Sequence, residues 1–252
     1  MPYTIAVAGK GGTGKTTLSG LIVRHLVRGG KTPVLAVDAD PNANLNEALG
    51  LTFDHTVVST VDGFMAGKES MPTGVPRDRY LEFEVEDALV ESKGFDLLVM
   101  GHTEGPGCYC AANTMLRNVI DRLETNYAYV VIDNEAGLEH ISRQTTADLD
   151  MLLIVSDVSM RGMVTAARVK ELIGEIRTSV GRVALVINRL DGDLTPEMEK
   201  AVAESGLELI STIPTDPQAA ELDSRGLPLV RLPDDSPLMQ AVRDISEKLG
   251  LL

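Results

Sequence analysis

Nine residues near the N-terminus leave the backbone little choice. Gly9-Lys10-Gly11-Gly12-Thr13-Gly14-Lys15-Thr16-Thr17 follows an apolar run of strand character, Thr4–Ala8, and opens a stretch of helical character, Lys15–Arg28. Its glycines permit the tight curvature that a short strand-to-helix loop needs. A loop in that setting aims its backbone N–H groups and the helix N-terminus at phosphate. Lys15 is then placed to reach the β- and γ-phosphates of a nucleotide, and the Thr16 hydroxyl to ligate Mg²⁺. Strand, loop and helix in that order commit the chain to an α/β architecture.

The remaining pattern agrees. Strand-length apolar runs recur at Pro33–Val37, Asp96–Met100, Tyr127–Ile132, Met151–Val155, Val183–Ile187 and Leu207–Ile213. Their near-continuous hydrophobicity suits strands covered on both faces. Helical spacing lies between most of them, at Ala111–Glu124, Gly162–Ser179 and Pro196–Ser205. In the first of these, Met115, Leu116, Val119, Ile120 and Leu123 share one helix face. The expected fold is a doubly wound, mostly parallel sheet with helices on both faces, as one domain over residues 1–252. Leu51–Leu81, rich in Gly, Pro and Asp and poor in periodicity, reads as an insertion or mobile surface segment.

Composition narrows the partners. Acidic residues outnumber basic ones 37 to 23, a formal charge of −14, with no run of Lys and Arg. Such a surface repels nucleic acid and anionic lipid. The start of the chain has no charged segment followed by an apolar stretch and a cleavage site, and no run is long enough to span a bilayer. A cytoplasmic protein without membrane insertion is expected, with its two cysteines reduced and available for metal or redox chemistry.

Those cysteines stand together, in Gly101-His102-Thr103-Glu104-Gly105-Pro106-Gly107-Cys108-Tyr109-Cys110. Residues i and i+2 of an extended segment project to one side, so both sulfurs can face one metal. The helix expected from Ala111 favours thiolate at its N-terminus. Two sulfurs are half of what Zn²⁺ or planar Ni²⁺ commonly takes, and a symmetric dimer would supply the other half. His102 and Glu104 are further candidate ligands. Two buried small side chains, or a redox pair, are the other readings of the same motif.

Asp133, ending the strand through Ile132, stands where a carboxylate holds a metal-bound water beside Mg²⁺. Asn188-Arg189-Leu190-Asp191 follows a later strand at the place where a purine base is gripped. Asn-Lys-x-Asp would mean guanine. With Arg in place of Lys, Asn188 and Arg189 are read as adenine-side contacts, Asp191 as a turn residue, and Pro214 as the start of the loop that closes the base pocket.

The pattern Lys-Gly-Gly-x-Gly-Lys-Thr resembles the deviant phosphate loop of the group containing MinD, ParA and the nitrogenase iron protein. That resemblance implies an ATPase whose Lys10 reaches across a dimer interface to the partner's nucleotide. It also makes Val37-Asp38-Ala39-Asp40 a first switch, with Asp40 positioning the attacking water and Asp38 close to the Mg²⁺ shell. Asp133-Asn134-Glu135-Ala136-Gly137 becomes a second switch, with the Gly137 N–H near the γ-phosphate. Taken with Cys-x-Cys before a helix, these features resemble the CooC/AcsF accessory ATPases. The resemblance implies ATP and Mg²⁺ as cofactors, a homodimer sharing Ni²⁺ (or Zn²⁺) through Cys108 and Cys110, and a nickel enzyme client, carbon monoxide dehydrogenase or acetyl-CoA synthase.

Three alternatives stay open. An iron–sulfur ATPase of the nitrogenase iron protein type would carry cysteines far apart in sequence, one after the second switch, where Asp133–Ile141 has none. A nickel GTPase of the hydrogenase or urease maturation type is supported by Asn188–Asp191 but lacks the Lys10 signature. A MinD- or ParA-like positioning ATPase of the MinD kind would end in a basic amphipathic helix. Ser236–Leu252 has the apolar stripe, at Leu238, Val242, Ile245 and Leu249, without a basic face, and is expected to dock on the domain.

Overall fold

The computed structural model describes residues 2–67, 74–102, 110–135, 148–173 and 179–251. Strand β1 (Tyr3–Gly9) runs into helix α1 (Lys15–Arg28), and β2 (Val34–Asp38) into the short α2 (Leu45–Leu49). Then come α3 (Val57–Met65), α4 (Arg77–Glu86), β3 (Val90–Glu91), β4 (Phe95–Val99), α5 (Cys110–Leu123) and β5 (Tyr129–Asp133). The chain continues through β6 (Leu149–Ser156), α6 (Met160–Ile173), β7 (Val180–Asn188), α7 (Pro196–Ser205), β8 (Glu208–Ile213), α8 (Pro217–Ser224) and α9 (Pro237–Leu249).

The strands form one sheet in the order β3-β4-β2-β5-β1-β6-β7-β8, parallel throughout except for β3. The sheet is doubly wound, as expected. From β1 the chain builds outward in both directions, so β1 lies at the switch point where loops of opposite sense part and leave a crevice. Alternate residues divide between the two faces. Ile5, Val7, Val34 and Ala36 pack under α1, α2 and α9. Ala6, Ala8, Leu35 and Val37 pack under α3 to α7. Both layers are dry, which explains why the strands read as unbroken apolar runs.

The described parts of Leu51–Leu81 are not the surface insertion or mobile segment that composition suggests. Thr56 and Ser59 form a reciprocal capping box at the start of α3. Val57, Val58, Val61 and Phe64 are buried with Leu81 and Val85 of α4 in the same core as α5. The helical spacing is present, but α3 is too short for periodicity to stand out. The C-terminal helix meets expectation. Leu238, Val242, Ile245 and Leu249 are all buried, each burial being worth about 1.5–3 kcal/mol, and the Lys248 ammonium donates to the Ile210 carbonyl of β8 at 2.6 Å. Among the described residues no helix is long and apolar enough to cross a membrane.

Candidate functional site

The loop from Gly9 to Lys15 is shaped by contacts that exclude side chains. A Cβ on Gly9, whose φ is +148°, would stand 2.2 Å from the Val155 carbonyl oxygen of β6. The Thr13 hydroxyl donates to the Lys10 carbonyl at 2.8 Å and closes the turn. From β7, the Asn188 amide donates to the Thr13 carbonyl at 2.7 Å. Gly14, at φ +95°, caps α1 with no side-chain hydrogen bond, and the first turn carries no acidic residue. The helix N-terminus is therefore left for an anion.

A Cβ on Gly14 would come within 2.3 Å of the Asn188 amide nitrogen. Gly14→Ala is expected to weaken binding of a fluorescent ATP analogue by about tenfold or more, because the methyl must break the Asn188 bond or strain the loop. An unchanged affinity would show that this contact does not set the loop.

The two lysines of the loop are set oppositely. Lys15 is 7% exposed, whereas Lys10 is open to solvent. Asp38 and Asp133 end adjacent strands in direct register, and both are buried. Burial pushes the Asp38 carboxyl up to about 7, the negative charges of Asp133 and Asp40 adding to it while the Leu45 and Asp40 N–H groups oppose. Burial likewise lifts Asp133 to about 6, against the hydroxyls of Thr16 and Ser19 and the charge of Lys15. A divalent cation is the counter-charge that would let both ionise. The Thr16 hydroxyl bonds the Asp133 carboxylate, which stands beside Asp38 across the sheet. Among the described residues no three of His, Cys, Asp or Glu are grouped so as to hold a metal ion.

Asp38 also has a folding task that spacing did not show. Its Oδ1 accepts the Asp40 N–H at 3.1 Å and its Oδ2 the Leu45 N–H at 2.8 Å, so it pins both ends of the loop between β2 and α2. Asp40 is half-buried, its Oδ1 accepting both the backbone and side-chain N–H of Asn42, at 2.9 and 2.8 Å.

On the other side of β1, Asp157 is a residue that the sequence reading passed over. It follows a strand, as Asp38 and Asp133 do, and that was the available signal. Burial works against its ionisation, but hydrogen bonds from Ser159 and the positive fields of Lys10 and Arg189 hold it below the usual carboxylate range. Arg189 is exposed with φ +60°. Asp191 is more than a turn residue. Its two oxygens accept the Thr215 N–H at 2.9 Å and hydroxyl at 2.8 Å, stapling the loop after β7 to the one that begins at half-buried Pro214.

The end of β4 is bonded to the end of β2 and to α3. The Met100 N–H donates to the Asp38 carbonyl at 2.8 Å, and the Val58 N–H to the Met100 carbonyl at 2.9 Å. Helix α5 begins at Cys110, one residue earlier than expected. His102 is exposed. Cys108, Glu104 and Gly137, and the side chain of Cys110, lie outside the described residues.

Comparison with known proteins follows this geometry. The profile of the CobQ/CobB/MinD/ParA nucleotide binding domain matches residues 4–229. An ATP-binding protein of Methanocaldococcus jannaschii, itself uncharacterised, is 40% identical over 248 residues, covering 97% of each chain. The carbon monoxide dehydrogenase accessory protein CooC of Rhodospirillum rubrum is 31% identical over 234 residues, 88% of each chain. Among solved structures, the MinD cell division protein of Aquifex aeolicus superposes with a TM-score of 0.73 at 25% identity, over 99% of this chain and 97% of that one.

Proposed function

This chain belongs to the CobQ/CobB/MinD/ParA nucleotide-binding family of ATPases, and from that premise we propose that it is a dimeric maturation factor that uses ATP to load nickel into carbon monoxide dehydrogenase or acetyl-CoA synthase. The observation that carries the reading is the Met100 N–H bonded to the Asp38 carbonyl at 2.8 Å, which ties the strand end that precedes the cysteine motif in sequence to the loop beside the two buried carboxylates. The name of the CooC relative supports the client.

In this reading the backbone of Gly9–Thr17 cradles the phosphates and Lys15 neutralises the β- and γ-oxygens. Thr16, Asp133 and Asp38 would hold Mg²⁺, which would supply positive charge to the phosphate oxygens. Asp40 orients the water that attacks the γ-phosphorus, breaking its bond to the β–γ bridging oxygen and giving ADP and phosphate. Lys10 of a second subunit and the Gly137 N–H stabilise the charge that develops. Asn188, Arg189 and Pro214 flank the adenine. Cys108 and Cys110 of both subunits hold the cargo ion between them. Because nucleotide and cargo would bind the same two-chain state, each must change the affinity of the other.

The MinD-like fold also suits a positioning ATPase. The buried apolar face of α9 weighs only against docking of that helix itself on a membrane, which would forfeit its packing.

Nickel titration of the wild type and of Cys108→Ser/Cys110→Ser, with and without ATP-Mg²⁺ and with mass tracked, tests the reading. The wild type is expected to take about one ion per two chains, and the variant to lose it while still hydrolysing ATP. Undiminished nickel affinity in the variant would sink the cargo assignment.

A further inference from the structure

Ser19 lies inside α1, one turn beyond Lys15, and is completely buried. Its hydroxyl stands 3.0 Å from the Lys15 carbonyl oxygen and 3.1 Å from Asp133 Oδ1. Thr16 and Ser19 are i and i+3 on one helix face, and both hydroxyls bond the Asp133 carboxylate. We infer that Ser19 is a positioning residue for the metal site, aiming the Asp133 carboxylate at Thr16 and hence at Mg²⁺. This rests on the Mg²⁺-ATP reading above and adds a residue to it.

The chemistry of the hydroxyl favours that role. Ser19 has one proton for two acceptors. A serine within a helix ordinarily spends it on the carbonyl four residues back, here that of Lys15. A carboxylate oxygen is the stronger acceptor of the two, and Asp133 Oδ1 lies 3.1 Å away. Asp133 is then held by hydroxyls from two successive turns of the helix that begins at the phosphate loop. Its torsion is set against the loop itself. Groups that orient a metal-side carboxylate in this way commonly carry 10- to 100-fold in metal affinity or activity.

Ser19→Ala keeps a strong helix former in α1 and removes one oxygen. The expected result is a rise of about tenfold in the Mg²⁺ concentration giving half-maximal ATP hydrolysis, with the metal-free affinity for a fluorescent ATP analogue and the melting temperature of the nucleotide-free protein little changed. Ser19→Thr, which restores the hydroxyl, should return the Mg²⁺ requirement toward that of the wild type. An unchanged Mg²⁺ requirement in a folded Ser19→Ala protein would overturn the inference, as would an equal rise in Ser19→Ala and Ser19→Thr. A wild type that shows no Mg²⁺-dependent hydrolysis would instead overturn the ATPase reading beneath it.

Discussion

Lys10→Ala is expected to lower the rate of ATP hydrolysis by about 10³-fold or more, the scale on which a cation supplied from outside the loop acts in phosphoryl transfer, while a single chain binds ATP nearly as before. The prediction follows from the opposite settings of the two lysines. Lys15 is buried in the loop, but the Lys10 side chain is exposed. What the loop takes from residue 10 is its carbonyl, which receives the Thr13 hydroxyl at 2.8 Å and is retained in alanine. The loop should therefore keep its shape.

Mixing separates action in trans from action in cis. Lys10→Ala and Asp40→Ala subunits are each expected to be inactive alone. In a mixed pair, the Lys10→Ala chain keeps its own Asp40 and receives Lys10 from its partner, so one of the two sites is complete. Random pairing of an equimolar mixture should restore about a quarter of the wild-type rate in a symmetric dimer. No recovery on mixing, with mixed dimers demonstrated by mass, would place Lys10 on its own nucleotide and remove the reason to expect a catalytic dimer.

What could be read in advance follows the physics of each element. The central strands were legible because both faces are dry, so every residue from Ile5 to Ala8 or from Leu152 to Val155 is apolar. The phosphate loop was legible because its glycines, Lys15 and Thr16 are contiguous. Helix α3 was missed because its four core positions fall within nine residues that also include Gly63 and Asp62. The two-residue edge strand β3 has no periodicity to read. Ser19 escaped notice because its partner is 114 residues away. Only the placement of β5 against β1 brings Asp133 under that face of α1, and no local spacing records it. Asp191 met its partner Thr215 for the same reason, across two neighbouring parallel strands.

Asp133→Asn is expected to make the nucleotide-free protein more stable and the enzyme much slower. The folded chain holds the Asp133 proton up to about pH 6, whereas an ordinary aspartate releases it near 3.8. Below pH ~4 both folded and unfolded chains are protonated and the side chain costs nothing. As pH rises toward 6 the unfolded chain ionises freely and the folded one does not, so stability from this group falls, levelling off above about 6. A shift of that size corresponds to at most about 3 kcal/mol. Asparagine cannot ionise, and the Thr16 and Ser19 hydroxyls can turn to meet its amide. The variant should then exceed the wild type by about 1–3 kcal/mol at pH 8, a few degrees in melting temperature for each kcal/mol, and by almost nothing at pH 4. Mg²⁺-dependent hydrolysis should fall by about 10²-fold, within the range lost when a metal site loses an orienting carboxylate. Thermal melts across this pH range, without nucleotide, measure the first effect. A gain of equal size at all pH values would mean that packing, and not the buried charge, is responsible. A divalent cation beside Asp133 and Asp38 would supply the charge that lets both ionise, so the gain of Asp133→Asn at pH 8 is expected to shrink when ATP-Mg²⁺ is added to the melts.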